Sequence, residues 1–244
     1  MTTGEKLIKW DNRIPDDQWV IYKQAMDAAY GVKVPFLLGG TFGLAAYTDI
    51  WRETKDMDFF IKPENKDKLI DAFTKAGFED YYDQKPYDRT WIYRSTKHGM
   101  IVDIIWMMAN RRAVIDNLWF EHALPVQLHG EHVRIIPMEE LFWCKLYIMQ
   151  HDRCDWPDLL CVAYMNEKTF RWEHLFERLG NDLPLLASII SILMWVSPRK
   201  ARELPDTLYQ KLGITKPLET ITAEEEKQRR DFLDSRDWLT VAKL

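Results

Sequence analysis

Three observations predict an α+β protein with an α/β-type front and a helical back. VPFLL (34–38) runs into Gly39-Gly40, a helix-compatible stretch follows, and MDFFI (57–61) closes it, giving strand, glycine turn, helix, strand. Strand-like segments then continue to Pro137 and stop there, beyond which the apolar segments have helical length and composition. The 244 residues are 47% hydrophobic and 29% charged, an ordinary globular balance with length enough for a sizeable core. The division falls into an α/β domain, 1–136, and a helical domain, 137–244.

The elements follow in order. Pro15 starts a helix in which Trp19, Ile21, Tyr22, Met26 and Tyr30 recur with helical period until Gly31. After the VPFLL strand, a helix is predicted from Thr41 to about Trp51. Asn65 to Ala76 sets Leu69, Ile70 and Phe73 at helical spacing and ends at Gly77, a C-cap residue. FEDYYD (78–83), TWIYRS (90–95) and MIVDIIW (100–106) read as strands, and VQLHG with HVRII as a hairpin about Gly130 and Glu131. Pro137, followed by Glu139 and Glu140, opens a helix to about Gln150. Helices are expected over 158–165, 172–179 and 185–195, and the capping box Thr222-Ala-Glu-Glu225 announces a short, mobile tail helix.

Composition narrows the function classes. A net charge of -5 argues against broad coating of nucleic acid, leaving room only for a local basic groove. The three cysteines, Cys144, Cys154 and Cys161, lack zinc-type spacing and fit a reducing, cytoplasmic setting. MTTGEKLIKW has no signal-peptide pattern, and Leu183 to Val196, interrupted by Pro184, is short of the roughly 20 residues that span a bilayer, so no membrane role is expected.

Asp56 and Asp58 flank Met57 at the start of an apolar strand. Strand side chains alternate faces, so both carboxylates point the same way with Cα atoms roughly 7 Å apart. Asp103 interrupts Ile101-Val102 and Ile104-Ile105 in a strand expected to be buried, where an unpaired carboxylate is costly. A divalent cation shared with Asp56 and Asp58 would compensate it in an all-oxygen site suited to magnesium; an arginine partner is the alternative. Gly39, Gly40 and Thr41 let the backbone approach a ligand closely and offer N–H groups at a helix start, although a double glycine also serves as a plain turn. Lys145 lies at the centre of the stripe of Met138, Leu141, Phe142 and Met149, either snorkelling past the helix edge or held over a cleft to bind phosphate. Arg52 and Lys55 add positive charge before the acids. His129 and His132 sit across the hairpin turn without two further zinc ligands, and Arg111-Arg112 and Arg199-Lys200 with Arg202 read as solvated faces or as a grip on RNA.

The run LLGGTFGLAAYTDIWRETKDMDFFI, with IVDIIW about one helix and two strands later, resembles the nucleotidyltransferase superfamily that includes DNA polymerase β. The stretch Arg52-Glu53-Thr54-Lys55-Asp56-Met57-Asp58 is similar to the Arg-x-Ser/Thr-x-Asp-x-Asp pattern of bacterial minimal and AbiEii-like toxin nucleotidyltransferases. Lys145, followed by an Arg/Asp-rich segment from Asp152 to Asp158, resembles a helix lysine of the same group. The likeness covers about residues 34–165, and after Asp158 the chain reads Leu-Leu-Cys-Val where many relatives carry a histidine.

The resemblance implies a nucleotidyltransferase fold with a mixed sheet and transfer of a nucleoside monophosphate from an NTP to a hydroxyl, with pyrophosphate leaving. It implies two Mg2+ ions, with Mn2+ as a substitute, held by the catalytic acids Asp56, Asp58 and Asp103, the last also a proton acceptor. Gly39, Gly40 and Thr41 would bind the β/γ-phosphates, with Lys145 and Lys55 offsetting charge on the leaving group, and Asp158 orienting Lys145 or an acceptor, or capping its own helix. The acceptor stays open between a small molecule, a tRNA and a protein side chain. The rival readings are an inactive member serving as a partner in a toxin-antitoxin pair, and a metal-dependent phosphohydrolase or nuclease.

Overall fold

Two apolar strands with acids at alternate positions, β3 (Asp56–Phe60) and β6 (Met100–Ile105), lie side by side and parallel, with Asp58 opposite Asp103. Around them the computed structural model, which describes residues 6–166, 168–236 and 238–239, builds an eight-stranded mixed sheet among the described residues. The chain divides into two compact units, Met1–Pro137 and Met138–Leu244. The expectations for residues 1–5 and 240–244 lie outside the described residues.

The other strands are β1 (Lys6–Leu7), β2 (Leu37–Leu38), β4 (Glu79–Asp80), β5 (Ile92–Lys97), β7 (Leu124–Leu128) and β8 (Glu131–Ile135). Their order is β1-β7-β8-β2-β3-β6-β5-β4. Strand β2 pairs antiparallel with β3 and parallel with β8, so it joins the two halves of the sheet. The helices of this unit are α1 (Asp16–Gly31), α2 (Gly40–Thr48), α3 (Lys66–Lys75) and α4 (Asn117–Glu121). Met57 and Phe59 of β3 and Val102 and Ile104 of β6 are buried in one core with Tyr22, Ala25 and Met26 of α1 and Leu69 and Phe73 of α3. By strand alternation, Asp56, Asp58 and Asp103 occupy the opposite face.

Several elements differ from expectation. VPFLL contributes only two strand residues, because the Val34 N–H turns back to the Ala29 carbonyl. The segment 78–83 is strand only at Glu79–Asp80; Asp80 then accepts from the Tyr82 N–H and starts a 3₁₀ turn. The α2 helix ends at Thr48, where Asp49 adopts a left-handed conformation. Strand β1 and helix α4 were not foreseen. Both hairpins turn on His-Gly pairs with positive φ, 50° and 79° at His98-Gly99 and 47° and 81° at His129-Gly130, the sign pattern of a type I′ turn. The first turn fixes the β5–β6 register and places Arg94 opposite Asp103.

The second unit is helical: α5 (Met138–Leu146), α6 (Trp156–Met165), α7 (Trp172–Leu179), α8 (Leu183–Val196), α9 (Pro198–Glu203), α10 (Asp206–Leu212) and α11 (Ala223–Leu233). Every residue of α5 is buried, including Glu139, Glu140 and Lys145. It stops at Leu146 instead of Gln150 because the Ile148 N–H turns onto the Lys145 carbonyl. By length and composition the run Trp172–Val196 is sufficient to cross a membrane, and one third of its most apolar window is buried inside the protein. A 3₁₀ turn at Gly180–Asp182 divides it. Helix α11 has the expected capping box, and its buried Glu226 accepts from the Ser197 hydroxyl at 2.7 Å, which ties the tail helix to the end of α8.

A Gly99→Ala variant should lose about 1 kcal/mol of stability, the cost of a side chain at positive φ. A Cβ there meets nothing within 4 Å, so urea denaturation should report backbone strain without a steric component. An unchanged midpoint would contradict the turn assignment.

Candidate active site

The site begins with the approach to β3. Thr54 Oγ1 accepts from the Asp56 N–H at 3.0 Å, and the Thr54 carbonyl accepts from Gln18 Nε2, which also donates to the Tyr22 hydroxyl. Helix α1 therefore grips the loop that delivers both acids. Tyr22 is fully buried; burial, opposed by the Gln18 hydrogen bond and reinforced by the charges of Asp56 and Asp58, pushes its hydroxyl well above the usual range. Asp56 and Asp58 are half-buried, and Lys55 is exposed at the head of the strand.

The glycine turn meets the acids directly. Gly39 donates its N–H to the Asp58 carbonyl at 3.1 Å. A Cβ on Gly39 would fall 2.2 Å from Phe60, and one on Gly40 only 1.7 Å from Asp58 Oδ2, at a φ of +54°. Only glycine fits at position 40, on steric and conformational grounds together. The N–H groups of Gly40 and Thr41 thus open α2 beside the Asp58 carboxylate, at a helix end whose first donors have no partner within the helix. The structure brings Gly39 and Gly40 against Asp58.

Asp103 is paired with an arginine. Its side chain is 2% exposed, and both its oxygens are met by Arg94: Nε lies 2.9 Å from Oδ1 and 3.2 Å from Oδ2, and Nη2 lies 2.6 Å from Oδ2. The arginine that the sequence allowed as a partner for Asp103 is present at this position. Burial pushes the Asp103 carboxyl upward and the guanidinium draws it back in part; the same pairing raises Arg94. Among the described residues, no three His, Cys, Asp or Glu side chains converge as a ready metal site. The chemistry of the donor set nonetheless fits a hard divalent cation, because Asp56, Asp58 and Asp103 project three carboxylates from one face of adjacent strands. Arg94 is the residue that sequence reasoning missed. Its signal was the His98-Gly99 turn, which pairs residue 94 with residue 103.

Lys145 lies in the second unit and is 9% exposed. Its ammonium donates to Asp155 Oδ2 at 2.6 Å and to Asp158 Oδ2 at 2.8 Å, so the α5 lysine is held by carboxylates at the start of α6. Helix α5 is buried on all sides and Met149 lies beyond its end, exposed, so Lys145 does not sit on a one-sided stripe; its Asp158 partner is the one the sequence offered to orient it. Burial works to raise Asp155, but the Arg153 hydrogen bond and the Lys145 charge outweigh it and hold its carboxyl below the usual range. The other charges of α5 are matched as well: Glu139 by Arg171 at 2.8 Å, and Glu140 by His174 at 2.6 Å and Arg178 at 3.1 Å. Burial pushes the Cys144 thiol far up, which leaves it inert. His129 donates from Nε2 to the Asp11 carbonyl at 2.6 Å and stacks on Trp19, which accounts for it without a metal.

A family model described as "Uncharacterised nucleotidyltransferase" matches residues 25–187. Among solved structures, the antibiotic-resistance factor ANT(2'')-Ia is similar at 15% identity and a TM-score of 0.49, covering 71% of this chain and 95% of that one. The lincosamide antibiotic adenylyltransferase LnuA is similar at 16% identity and a TM-score of 0.39, covering 52% of this chain and 84% of its own. JHP933 from Helicobacter pylori is similar at 15% identity and a TM-score of 0.40, covering 94% and 99%. No curated protein matches by sequence.

Replacing Lys145 by Met should cost about 3 kcal/mol in chemical denaturation, since it leaves two buried carboxylates without their ammonium, and should not change NTP affinity. Lost NTP affinity with unchanged stability would overturn this structural role. Because the folded carboxyl of Asp155 is held below its unfolded value, its contribution is present above about pH 4 and is lost as pH falls further. The urea midpoint of the wild type should therefore drop more steeply between pH 5 and pH 3, roughly, than that of Asp155→Asn.

Proposed function

We propose, from the premise that the chain belongs to the nucleotidyltransferase family whose model it matches over residues 25–187, that it moves a nucleoside monophosphate from an NTP to a hydroxyl acceptor, with release of pyrophosphate. The observation that carries the proposal is the contact between Gly40 and Asp58, which sets a helix N-terminus suited to phosphate against a carboxylate pair suited to a cation. Asp56 and Asp58 would bind two Mg2+ ions together with Asp103, and Mn2+ would substitute. When bound, these ions supply Lewis acidity at the transferred phosphoryl group and acidify the attacking hydroxyl. The N–H groups from Gly39 to Thr41 would donate to the distal phosphates, and the missing Cβ at Gly40 lets the backbone come close. Lys55, exposed beside Asp56, adds positive charge at the mouth of the site. Tyr22 and Gln18 keep the β3 approach rigid from beneath.

The charge distribution favours a small hydroxyl compound as acceptor over RNA. The chain carries a net charge of -5, and the basic residues on and near α9 are spoken for: Arg199 and Lys200 pair with Glu203, while Arg202 donates to the Glu219 carbonyl. A second reading, a binding module without transferase activity, draws on the Arg94–Asp103 pair, which neutralises the third acid without any cation.

The discriminating assay supplies magnesium and each α-labelled NTP with a panel of acceptors. Label should move onto one acceptor class with the wild type and fall by more than about 100-fold in Asp58→Asn, the expected scale for losing a direct metal ligand. Asp58→Asn is close in volume and should stay folded by circular dichroism. A fully active Asp58→Asn enzyme would sink the site assignment, and absence of both NTP binding and transfer would favour the binding module.

A further inference from the structure

We infer that the gap between the end of α1 and the start of the β2–β8 seam is a second binding site, for a small compound that carries an anionic group on an aromatic ring. The seam explains why the gap exists. Strands β2 and β8 are joined at a single pair, Leu38 with Ile135. Upstream of it α1 closes with the Lys33 N–H on the Tyr30 carbonyl at 2.9 Å and the Val34 N–H on the Ala29 carbonyl at 3.0 Å, which turns the chain away from β8. A cavity of about 290 Å3 opens there, at the lower end of the roughly 300–1,000 Å3 of small-molecule sites. It lies within the first unit, at the opposite end of β2 from the glycine turn.

The lining has an apolar and a cationic part. Val34, Phe36 and Val133 are buried walls, and the Tyr30 ring stands 5.3 Å from that of Phe36. Tyr30 is fixed by its hydroxyl, which donates to the His132 carbonyl at 3.2 Å. Lys33 and Arg134 form an exposed rim, the guanidinium resting over the Phe120 ring at 5.6 Å. Among the described residues no carboxylate pairs with either cation, because Glu131 and Asp27 are both taken by Lys23, at 3.1 and 2.9 Å. A ring against Tyr30 and Phe36, with its anionic group between ammonium and guanidinium, meets both parts at once. Lys33 adds an independent observation. Its φ is 54°, at the left-handed position after a helix that glycine fills at least cost. A lysine there gives up stability for a charge that no residue of the protein answers, which is the pattern of strain kept for a ligand.

The test is calorimetric titration with 2-naphthoate, beside neutral 2-naphthalenemethanol and inorganic phosphate, with the melting temperature of each variant. The wild type should bind 2-naphthoate at least about tenfold more tightly than either control, since each control offers only half of the match. Lys33→Gly should weaken 2-naphthoate roughly fivefold, the scale of one charge-assisted contact at a partly exposed rim. The same variant should melt roughly 2–4 °C higher, because the strain is relieved. Arg134→Met should weaken binding to a similar extent, and the double variant should hold 2-naphthoate no better than 2-naphthalenemethanol. Asp58→Asn should bind it as the wild type does, which separates this site from the proposed catalytic one. Equal affinity in the wild type and the double variant, or no binding to the wild type at millimolar 2-naphthoate, overturns the inference. So does loss of binding in Asp58→Asn, which would place the compound at the glycine turn. A higher melting temperature in Lys33→Gly with unchanged affinity would make Lys33 a strained helix end alone and overturn its part in the site.

Discussion

A carboxylate buried in the middle of a sheet must find a positive charge, and much of the first unit is arranged around that demand at Asp103. The hairpin turn at His98-Gly99 sets the register that puts Arg94 opposite it, and the parallel pairing of β3 with β6 puts Asp58 on its other side. A row of acid, acid and arginine therefore crosses three strands on one face, while the residues between them, Met57, Phe59, Val102 and Ile104, close the core on the other. One alternation of side chains serves both packing and chemistry. The glycine turn completes the arrangement, since its two missing side chains leave space that Asp58 and Phe60 occupy.

The legible parts of this architecture were those whose signals are local. The helix at Asp16–Gly31, the helix closing at Gly77, the hairpin about Gly130 and the capping box at Thr222 were read from periodicity and cap chemistry within a few residues. Strand β1 was not legible because Lys6–Leu7 is only two residues and gains its identity from Val126 and Gln127, far along the chain. FEDYYD misled because its aromatics favour a strand, while the side chain of Asp80 ends the strand by capping a turn.

The candidate site divides in the same way. The two glycines and the Asp-x-Asp pair were visible as a pattern, and the adjacency of Asp103 followed from treating its strand as a neighbour. The arginine that compensates Asp103 depended on counting register through a turn. For Lys145 a helical stripe presumes one buried face, whereas α5 is buried all round and the ammonium is held by Asp155 and Asp158.

The position of β2 governs how this sheet is assembled in time. Two residues, Leu37 and Leu38, carry the seam between the halves, and on one side their partner is β8, ending at Ile135. Such a seam closes a loop of nearly a hundred residues, so its entropy is lost before its pairing is gained. A ribosome must release almost the whole first unit before Leu38 acquires its second neighbour. The glycine turn hangs on the end of this two-residue strand, so its final geometry awaits the latest pairing in the unit, well after its own residues have emerged.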